Sequence, residues 1–148
     1  PRLRRPRPSP LPLRDEGAAA AAVYGARGVE IDHRERRVNL SIKTDTFEGV
    51  TVVHVKGELD VYTAPMLKET LDSTMDARER FVLDLTQVRF IDSTGLGVLV
   101  GSLQEARADS ADFPLVLDDP YLLKIFHITG FDGVFSIYPQ VSDAVRGN

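Results

Sequence analysis

The residues best placed for chemistry form the segment 92–95 (Asp-Ser-Thr-Gly), which follows an apolar run at 81–85 that predicts a buried strand. Apolar side chains then recur at helical spacing, so we expect a helix over about 94–108; these are Leu96, Leu99, Val100, Leu103 and Ala106. Ser93 would lie at or beside its N-cap. Unpaired backbone N–H groups and the helix dipole suit a hydroxyl there and tolerate a phosphate. As a simple cap, this hydroxyl would contribute about 1 kcal/mol of stability.

Three glycines fall inside the predicted helix, at Gly95, Gly97 and Gly101. Each costs about 0.5–1 kcal/mol relative to alanine in a helix, so each needs a reason. We expect Gly97 and Gly101 to permit close packing of the helix on the sheet. Gly95 lies beside Ser93, and we expect its missing side chain to leave the serine hydroxyl open to another protein. On that view, leucine at position 95 would leave the fold intact.

The same glycines also suggest a dinucleotide-binding enzyme, because they follow a strand and precede an acidic residue, Asp118, at the end of the next strand. The spacing is wrong by one residue, however, and the glycines lie within the helix rather than before it. Phosphate-loop, His-Glu-x-x-His and Gly-x-Ser-x-Gly motifs are absent from the sequence, and Ser93 has no identifiable base. We therefore expect no enzyme and no cofactor, and a serine that another enzyme modifies.

Strands and helices alternate along the chain. Apolar alternation at 38–42 and 50–55, around a turn near Glu48-Gly49, predicts an N-terminal hairpin. Strand and helix patterns then alternate to the end of the chain, beginning with a helix from Thr63. This order predicts an α/β fold with right-handed crossovers, a mixed, mostly parallel sheet and about four helices packed on it. The loops at Asp60 and Asp92 both follow strands and precede helices, so they should share the carboxyl edge of the sheet.

Two sequence blocks, at 57–65 and 92–100, strongly resemble the anti-sigma factor antagonists (anti-anti-sigma factors) of the STAS domain family, and those of actinomycetes most of all. The resemblance covers roughly 38–145. It implies that Ser93 is phosphorylated by the partner, an anti-sigma factor that is a serine kinase. It also implies that the unphosphorylated form captures this partner and releases a sigma factor for transcription in development or stress, and that a serine phosphatase restores this form.

The resemblance also implies which residues meet the partner, because Asp60 and Asp92 match aspartates that help to bind the kinase in the family. The expected partner-binding residues are Asp60, Tyr62, Thr63, Asp92, Thr94, Gly95 and Leu96. Two alternatives remain open at this point: Asp60 as a solvated loop residue, and Asp92 as a helix cap that competes with Ser93. A different functional class also remains, namely a STAS subunit that does not switch, as in a stressosome-like assembly or a lipid-transport complex.

Composition sets further bounds. The chain has 148 residues, 43% of them hydrophobic, which suffices for one domain plus an extension. Residues 1–37 hold nine Lys/Arg and five Asp/Glu, and we expect them to form a disordered basic extension rich in Pro, Arg and Ala. Residues 38–148, the expected STAS domain, hold nine Lys/Arg and seventeen Asp/Glu. The acidic domain makes direct nucleic-acid binding unfavourable.

Other residue types exclude several kinds of site. The chain has no cysteine, which fits a reducing cytoplasm and excludes disulfides. Its three histidines lack metal-ligand spacing, so no metal site is expected. No apolar run approaches the roughly 18 residues of a membrane span. We therefore expect a cytoplasmic protein without membrane contact.

Overall fold

Five strands and four α-helices alternate through residues 39–147, which are the residues that the structure, a computed structural model, describes. The basic segment 1–37, expected to be disordered, lies outside the described residues. The elements are β1 (Leu40–Phe47), β2 (Val50–Leu59), α1 (Ala64–Asp76), β3 (Phe81–Ile91), α2 (Ser93–Ala108), β4 (Leu115–Val116), α3 (Pro120–Thr129), a 3-10 turn (Phe131–Gly133), β5 (Ile137–Tyr138) and α4 (Val141–Arg146).

The sheet has the order β1-β2-β3-β4-β5. β1 and β2 form an antiparallel hairpin, and the other neighbours are parallel. The hairpin closes at Glu48 and Gly49, both with positive φ, as a two-residue turn that suits the twist of the strands requires. These features confirm the predicted α/β fold with a mixed, mostly parallel sheet, an N-terminal hairpin and four helices.

Side-chain alternation along the strands divides the core between the two faces of the sheet. One face packs against α1, α2 and α3; its strand residues include Val53, Val55, Leu83, Leu85 and Leu115. Because the strand order is sequential and parallel crossovers are right-handed, these three helices lie on the same face. The other face packs against α4 through a smaller cluster of Val50, Val82, Val116, Ala144 and Val145. None of the helices within residues 39–147 is long and apolar enough to span a membrane.

The structure reverses the roles that we expected for the glycines of α2. A Cβ added to Gly95 would lie 2.7 Å from Leu59 Cγ and 2.8 Å from the Leu59 carbonyl oxygen, whereas one added to Gly97 or Gly101 would meet nothing within 4 Å. Gly95 is therefore the packing glycine. The expectation that leucine at position 95 leaves the fold intact is wrong, because the added side chain would collide with the backbone at the end of β2.

A chain of polar side chains crosses the first three strands on the face that bears α4. His54 of β2 bonds through Nδ1 to Asp84 Oδ2 of β3 at 2.7 Å and through Nε2 to Asp45 Oδ1 of β1 at 3.1 Å. Thr86 donates to the other oxygen of Asp84 from its backbone N–H and its hydroxyl. Partial burial alone would lower the pKa of His54, but hydrogen bonds to Asp84 and Asp45 and the charges of both carboxylates outweigh it and raise the pKa above 6.5. Both ring nitrogens then donate, as in imidazolium.

We predict that the contribution of His54 to stability declines as pH rises. Because the pKa is higher in the folded state, the folded protein binds more protons between the two pKa values, so this contribution is complete below about pH 6.5 and is lost as pH rises through the folded pKa. Urea unfolding of the wild type and His54→Gln from pH 5.5 to 9 measures it. The difference in unfolding free energy between the wild type and His54→Gln should shrink as pH rises. A constant difference would contradict a protonated His54 hydrogen-bonded to Asp84 and Asp45.

Substitution of two glycines in the same helix should have opposite effects. Gly97→Ala should raise the free energy of unfolding by about 0.5–1 kcal/mol, because alanine is the better helix former and the position is open. Gly95→Ala should lower it by about 1–3 kcal/mol through collision with Leu59. Thermal and urea unfolding of both variants provides the comparison. Equal effects would show that α2 does not pack closely on Leu59.

A buried hydroxyl offers another test of the core. Ser102 of α2 is fully buried, and its Oγ has no hydrogen-bond partner among residues 39–147. Ser102→Ala should therefore stabilise the domain by about 1 kcal/mol, since an unpaired buried hydroxyl is costly. Thr63→Val is the matched control, because the buried Thr63 hydroxyl donates to the Glu58 carbonyl at 2.8 Å, and its loss should cost about 1–3 kcal/mol. Destabilisation by Ser102→Ala would contradict the assignment of an unpaired hydroxyl.

Candidate functional site

Three strand-to-helix loops follow the carboxyl ends of parallel strands. β2, β3 and β4 run parallel, so their carboxyl ends point the same way, and each is followed by a helix. We call the segments 60–63, 92–95 and 118–121 the first, second and third loops. The first two are in direct contact, because the backbone N–H of Asp92 donates to the carbonyl of Leu59 at 3.0 Å. The structure thus brings together the two loops that the sequence placed at the carboxyl edge.

Asp60 holds the first loop in a tight turn. Its Oδ1 accepts from the backbone N–H groups of Tyr62 at 2.9 Å and Thr63 at 3.0 Å. Thr63 is only 2% exposed, and its hydroxyl accepts from the Asp60 N–H at 2.9 Å. The buried Thr63 side chain therefore stabilises the conformation of the first loop. Val61 and Tyr62 form its exposed tip.

Asp92, not Ser93, caps α2. Its backbone is extended and its Oδ1 accepts from the Gly95 N–H at 2.9 Å, so the helix begins at Ser93, one residue earlier than predicted. This geometry supports the capping role that the sequence left open for Asp92. Ser93 and Thr94 are exposed in the first turn, and the Ser93 hydroxyl makes no hydrogen bond within residues 39–147.

The expected partner-binding residues divide into two groups. Asp60 and Asp92 are partly exposed, while Tyr62 and Thr94 are exposed, so their side chains can meet another protein. Thr63, Gly95 and Leu96 are buried, and we correct the expectation that they form part of the contact surface. The reason is geometric: the first turn of α2 lies against the end of β2, so Gly95 and Leu96 point into the core. They position the exposed residues.

The third loop was not among the sites expected from the sequence. Asp119 caps α3 by accepting from the Tyr121 N–H at 2.9 Å, and Pro120 begins the helix. Asp118 and Tyr121 are exposed. A signal was present, because an aspartate before proline and an apolar period is typical of a helix start. In the sheet this start faces the same way as the other two, but β4 pairs with Leu83 and Asp84, several residues before β3 ends.

Negative charge and exposed apolar side chains occur together at this edge. The three loops contain Asp60, Asp92, Asp118 and Asp119 but neither Lys nor Arg. Asp60, Asp92 and Asp119 each use Oδ1 for a turn or cap, and Oδ2 accepts no hydrogen bond within the described range 39–147. Of the large hydrophobic side chains exposed in that range, four of five lie in or within two residues of the loops; these are Val61, Tyr62, Phe90 and Tyr121. Such a surface suits a protein partner that offers basic and apolar groups.

Comparison with known proteins gives a consistent result. The STAS domain family matches residues 41–144. An anti-sigma-B factor antagonist from Listeria monocytogenes is 39% identical over 113 residues, which cover 75% of this chain and 96% of that protein. One from Bacillus subtilis is 31% identical over 109 residues, which cover 74% of this chain and 100% of that protein.

A solved structure agrees with the sequence matches. The crystal structure of an anti-sigma factor antagonist from Mycobacterium paratuberculosis has a TM-score of 0.67 to this chain at 31% identity. The match covers 73% of this chain and 92% of that one. The resemblance found in the two sequence blocks is confirmed: this chain belongs to the STAS domain family.

Proposed function

We propose that this chain is an anti-sigma factor antagonist that captures an anti-sigma factor at the edge formed by its three loops. Capture releases a sigma factor, and phosphorylation of Ser93 ends it. The observation that carries this proposal is the position of Ser93, exposed at the start of α2 beside Asp92 and the tip of the first loop. The family relatives, named as anti-sigma factor antagonists, support the assignment.

The edge can accept a phosphate without unfolding. Ser93 is the first residue of a 16-residue helix, where backbone N–H groups lack helical partners and the dipole favours negative charge. Because Asp92 provides the cap of α2, modification of the Ser93 hydroxyl removes no capping hydrogen bond. Phosphorylation would therefore change the surface far more than the fold.

The change in surface is mainly one of charge. A phosphoserine adds about −1.5 to −2 charges at neutral pH, next to a carboxylate and on an edge that already carries four aspartates. A partner that fits closely against the Ser93 hydroxyl would have to displace or bury the charged phosphate, and would lose several kcal/mol of binding free energy. The unphosphorylated edge would bind, and the phosphorylated edge would not.

The proposed cycle needs two other proteins. The anti-sigma factor acts as the serine kinase, and a serine phosphatase removes the phosphate. This chain acts as a binding protein rather than an enzyme, because it is the substrate of both reactions, and it works in the cytoplasm where sigma factors act. The buried Thr63, Gly95 and Leu96 keep the loops in place.

Substitution of Ser93 tests the switch. Ser93→Ala should bind the anti-sigma factor constitutively, and Ser93→Asp should bind it at least tenfold more weakly, with both variants folded because Asp92 still caps α2. Aspartate carries one charge where phosphate carries nearly two, so phosphorylated wild type should bind most weakly. Titration calorimetry with the purified anti-sigma factor measures the two variants and the unphosphorylated and phosphorylated wild type.

Thr94→Ala is the matched control, since Thr94 is equally exposed in the same turn. After incubation with the kinase and ATP, mass spectrometry should find phosphate on wild type and Thr94→Ala but not on Ser93→Ala. Phosphate on Thr94, or equal affinity of the phosphorylated and unphosphorylated forms, would refute the switch. The chain would then be a STAS interaction subunit of the kind that does not switch.

A further inference from the structure

The outer edge of β1 is an unpaired strand edge. β1 is the first strand in the order of the sheet and pairs with β2 alone among the strands of residues 39–147. It is eight residues long, and five of its side chains are exposed. The free N–H and C=O groups of such an edge can pair with another strand unless something covers or blunts them. The sequence and geometry of β1 indicate which strand this is.

The antiparallel ladder decides which backbone groups of β1 face outward. The Glu58 N–H donates to the Asn39 carbonyl at 2.7 Å, and Leu40 lies opposite Gly57 in the register. Since hydrogen-bonded pairs alternate with non-hydrogen-bonded pairs in such a ladder, the odd-numbered residues of β1 bond to β2. The even-numbered residues direct their N–H and C=O groups away from the sheet; these are Leu40, Ile42, Thr44 and Thr46. No hydrogen bond joins these groups to any other part of residues 39–147.

The charges on β1 are complementary to those of an identical strand. Lys43 and Asp45 are both exposed and lie on the same face of the strand, with Thr44 between them. When two such strands pair antiparallel about a two-fold axis at Thr44, Lys43 of each copy lies directly opposite Asp45 of the other, where opposite charges stabilise the pair. Lys43 makes no ion pair within residues 39–147, and Asp45 uses only Oδ1, to bond His54.

The backbone favours the same register. Pairing about Thr44 places Thr44 opposite itself and Ile42 opposite Thr46, and all three residues direct their backbone groups outward. A centre one residue earlier would place Lys43 opposite Lys43, and a centre one residue later would place Asp45 opposite Asp45. Like charges that face each other directly destabilise a strand pair. The outer edge of β1 therefore specifies a single central register.

We propose that the outer edge of β1 binds the same edge of a second copy of this chain, antiparallel and centred on Thr44, so that two five-stranded sheets join into one. The excess negative charge of residues 38–148, seventeen Asp/Glu against nine Lys/Arg, opposes association of two copies in general. It does not oppose contact at this edge in particular, because β1 carries one Lys and one Asp and is neutral.

The pairing leaves the Ser93 edge of each copy free. Ser93 follows β3, which is separated from β1 by β2. Because β1 runs antiparallel both to β2 and to the β1 of the second copy, the carboxyl ends of the two β2 strands point in opposite directions. The dimer would therefore present one carboxyl edge, with its Ser93, at each end of the joined sheet.

Disulfide cross-linking tests both the contact and its register, because the chain has no cysteine of its own. In the proposed pair the two copies of residue 44 face each other with Cα atoms about 5.5 Å apart, within the range that a disulfide spans. The full chain carrying Thr44→Cys, oxidised with diamide, should therefore form a linked dimer on a non-reducing gel.

Thr46→Cys is the matched control, because Thr46 is the same residue type, exposed on the same face of β1. Its two copies would lie four residues apart along the paired strands, about 14 Å, which no disulfide spans. The linked dimer of Thr44→Cys should form at least tenfold faster than that of Thr46→Cys. Equal rates would overturn the proposal, since random collisions link both variants alike.

Charge reversal tests the same contact by analytical ultracentrifugation. The wild type should show a reversible equilibrium between monomer and dimer within the range of about 1 µM to 1 mM. Lys43→Asp and Asp45→Lys should each weaken the dimer at least tenfold, because two-fold symmetry creates two like-charge contacts in each dimer. An equimolar mixture of the two variants should restore dimerisation, since every reversed charge then faces its opposite.

Lys56→Asp is the matched control for charge, because Lys56 is exposed on β2, one strand away from the edge, and its reversal should change the dissociation constant less than twofold. Asp45→Lys also loses the hydrogen bond to His54, and restoration in the mixture shows that this variant remains folded. Three results would each overturn the proposal: a monomer throughout the concentration range, a dimer that Lys43→Asp does not weaken, or a mixture that associates no better than its components.

Discussion

The close approach of α2 to the end of β2 is the contact on which the rest of the site depends. The Asp92 N–H donates to the Leu59 carbonyl at 3.0 Å, and the position of Gly95 leaves no room for a side chain above Leu59. This contact joins the first two loops into one surface and sets the direction in which α2 leaves the sheet. Because Gly95 is buried against Leu59, Ser93, which lies two residues earlier in the same helical turn, is exposed. An exposed serine and a buried glycine are therefore two consequences of the same packing.

Aspartate serves structure and surface charge together at this edge. Asp60, Asp92 and Asp119 each use one carboxylate oxygen to accept backbone N–H groups at the start of a helix or turn. A charged acceptor in that place also gains from the helix dipole, so these carboxylates stabilise the turns and helix starts although they add negative charge. The same residues give the edge its negative charge. The same side chains thus set the local backbone conformation and the charge of the edge, and removal of any one would change both.

The rest of the sheet supports this edge without taking part in it. Hydrogen bonds of His54 to Asp45 and Asp84 join the hairpin to β3 on the face that carries α4. The helices α1, α2 and α3 cover the other face. The parallel arrangement of β2, β3 and β4 then directs three helix starts to one side. Packing thus occupies both faces of the sheet, and the loops that precede α1 and α2 lie at its carboxyl edge.

Local patterns in the sequence determined much of this architecture. Alternation identified the hairpin and its turn at Glu48-Gly49, helical spacing identified α2, and the two blocks around Asp60 and Ser93 identified the family, because each of these signals lies within a few neighbouring residues. Only the tertiary structure decided which glycine packs, which residue caps α2, and that Thr63 and Leu96 are buried. Those outcomes depend on contacts between residues far apart in the chain, such as Leu59 with Gly95, and the periodicity of a single segment carries no information about what it will meet.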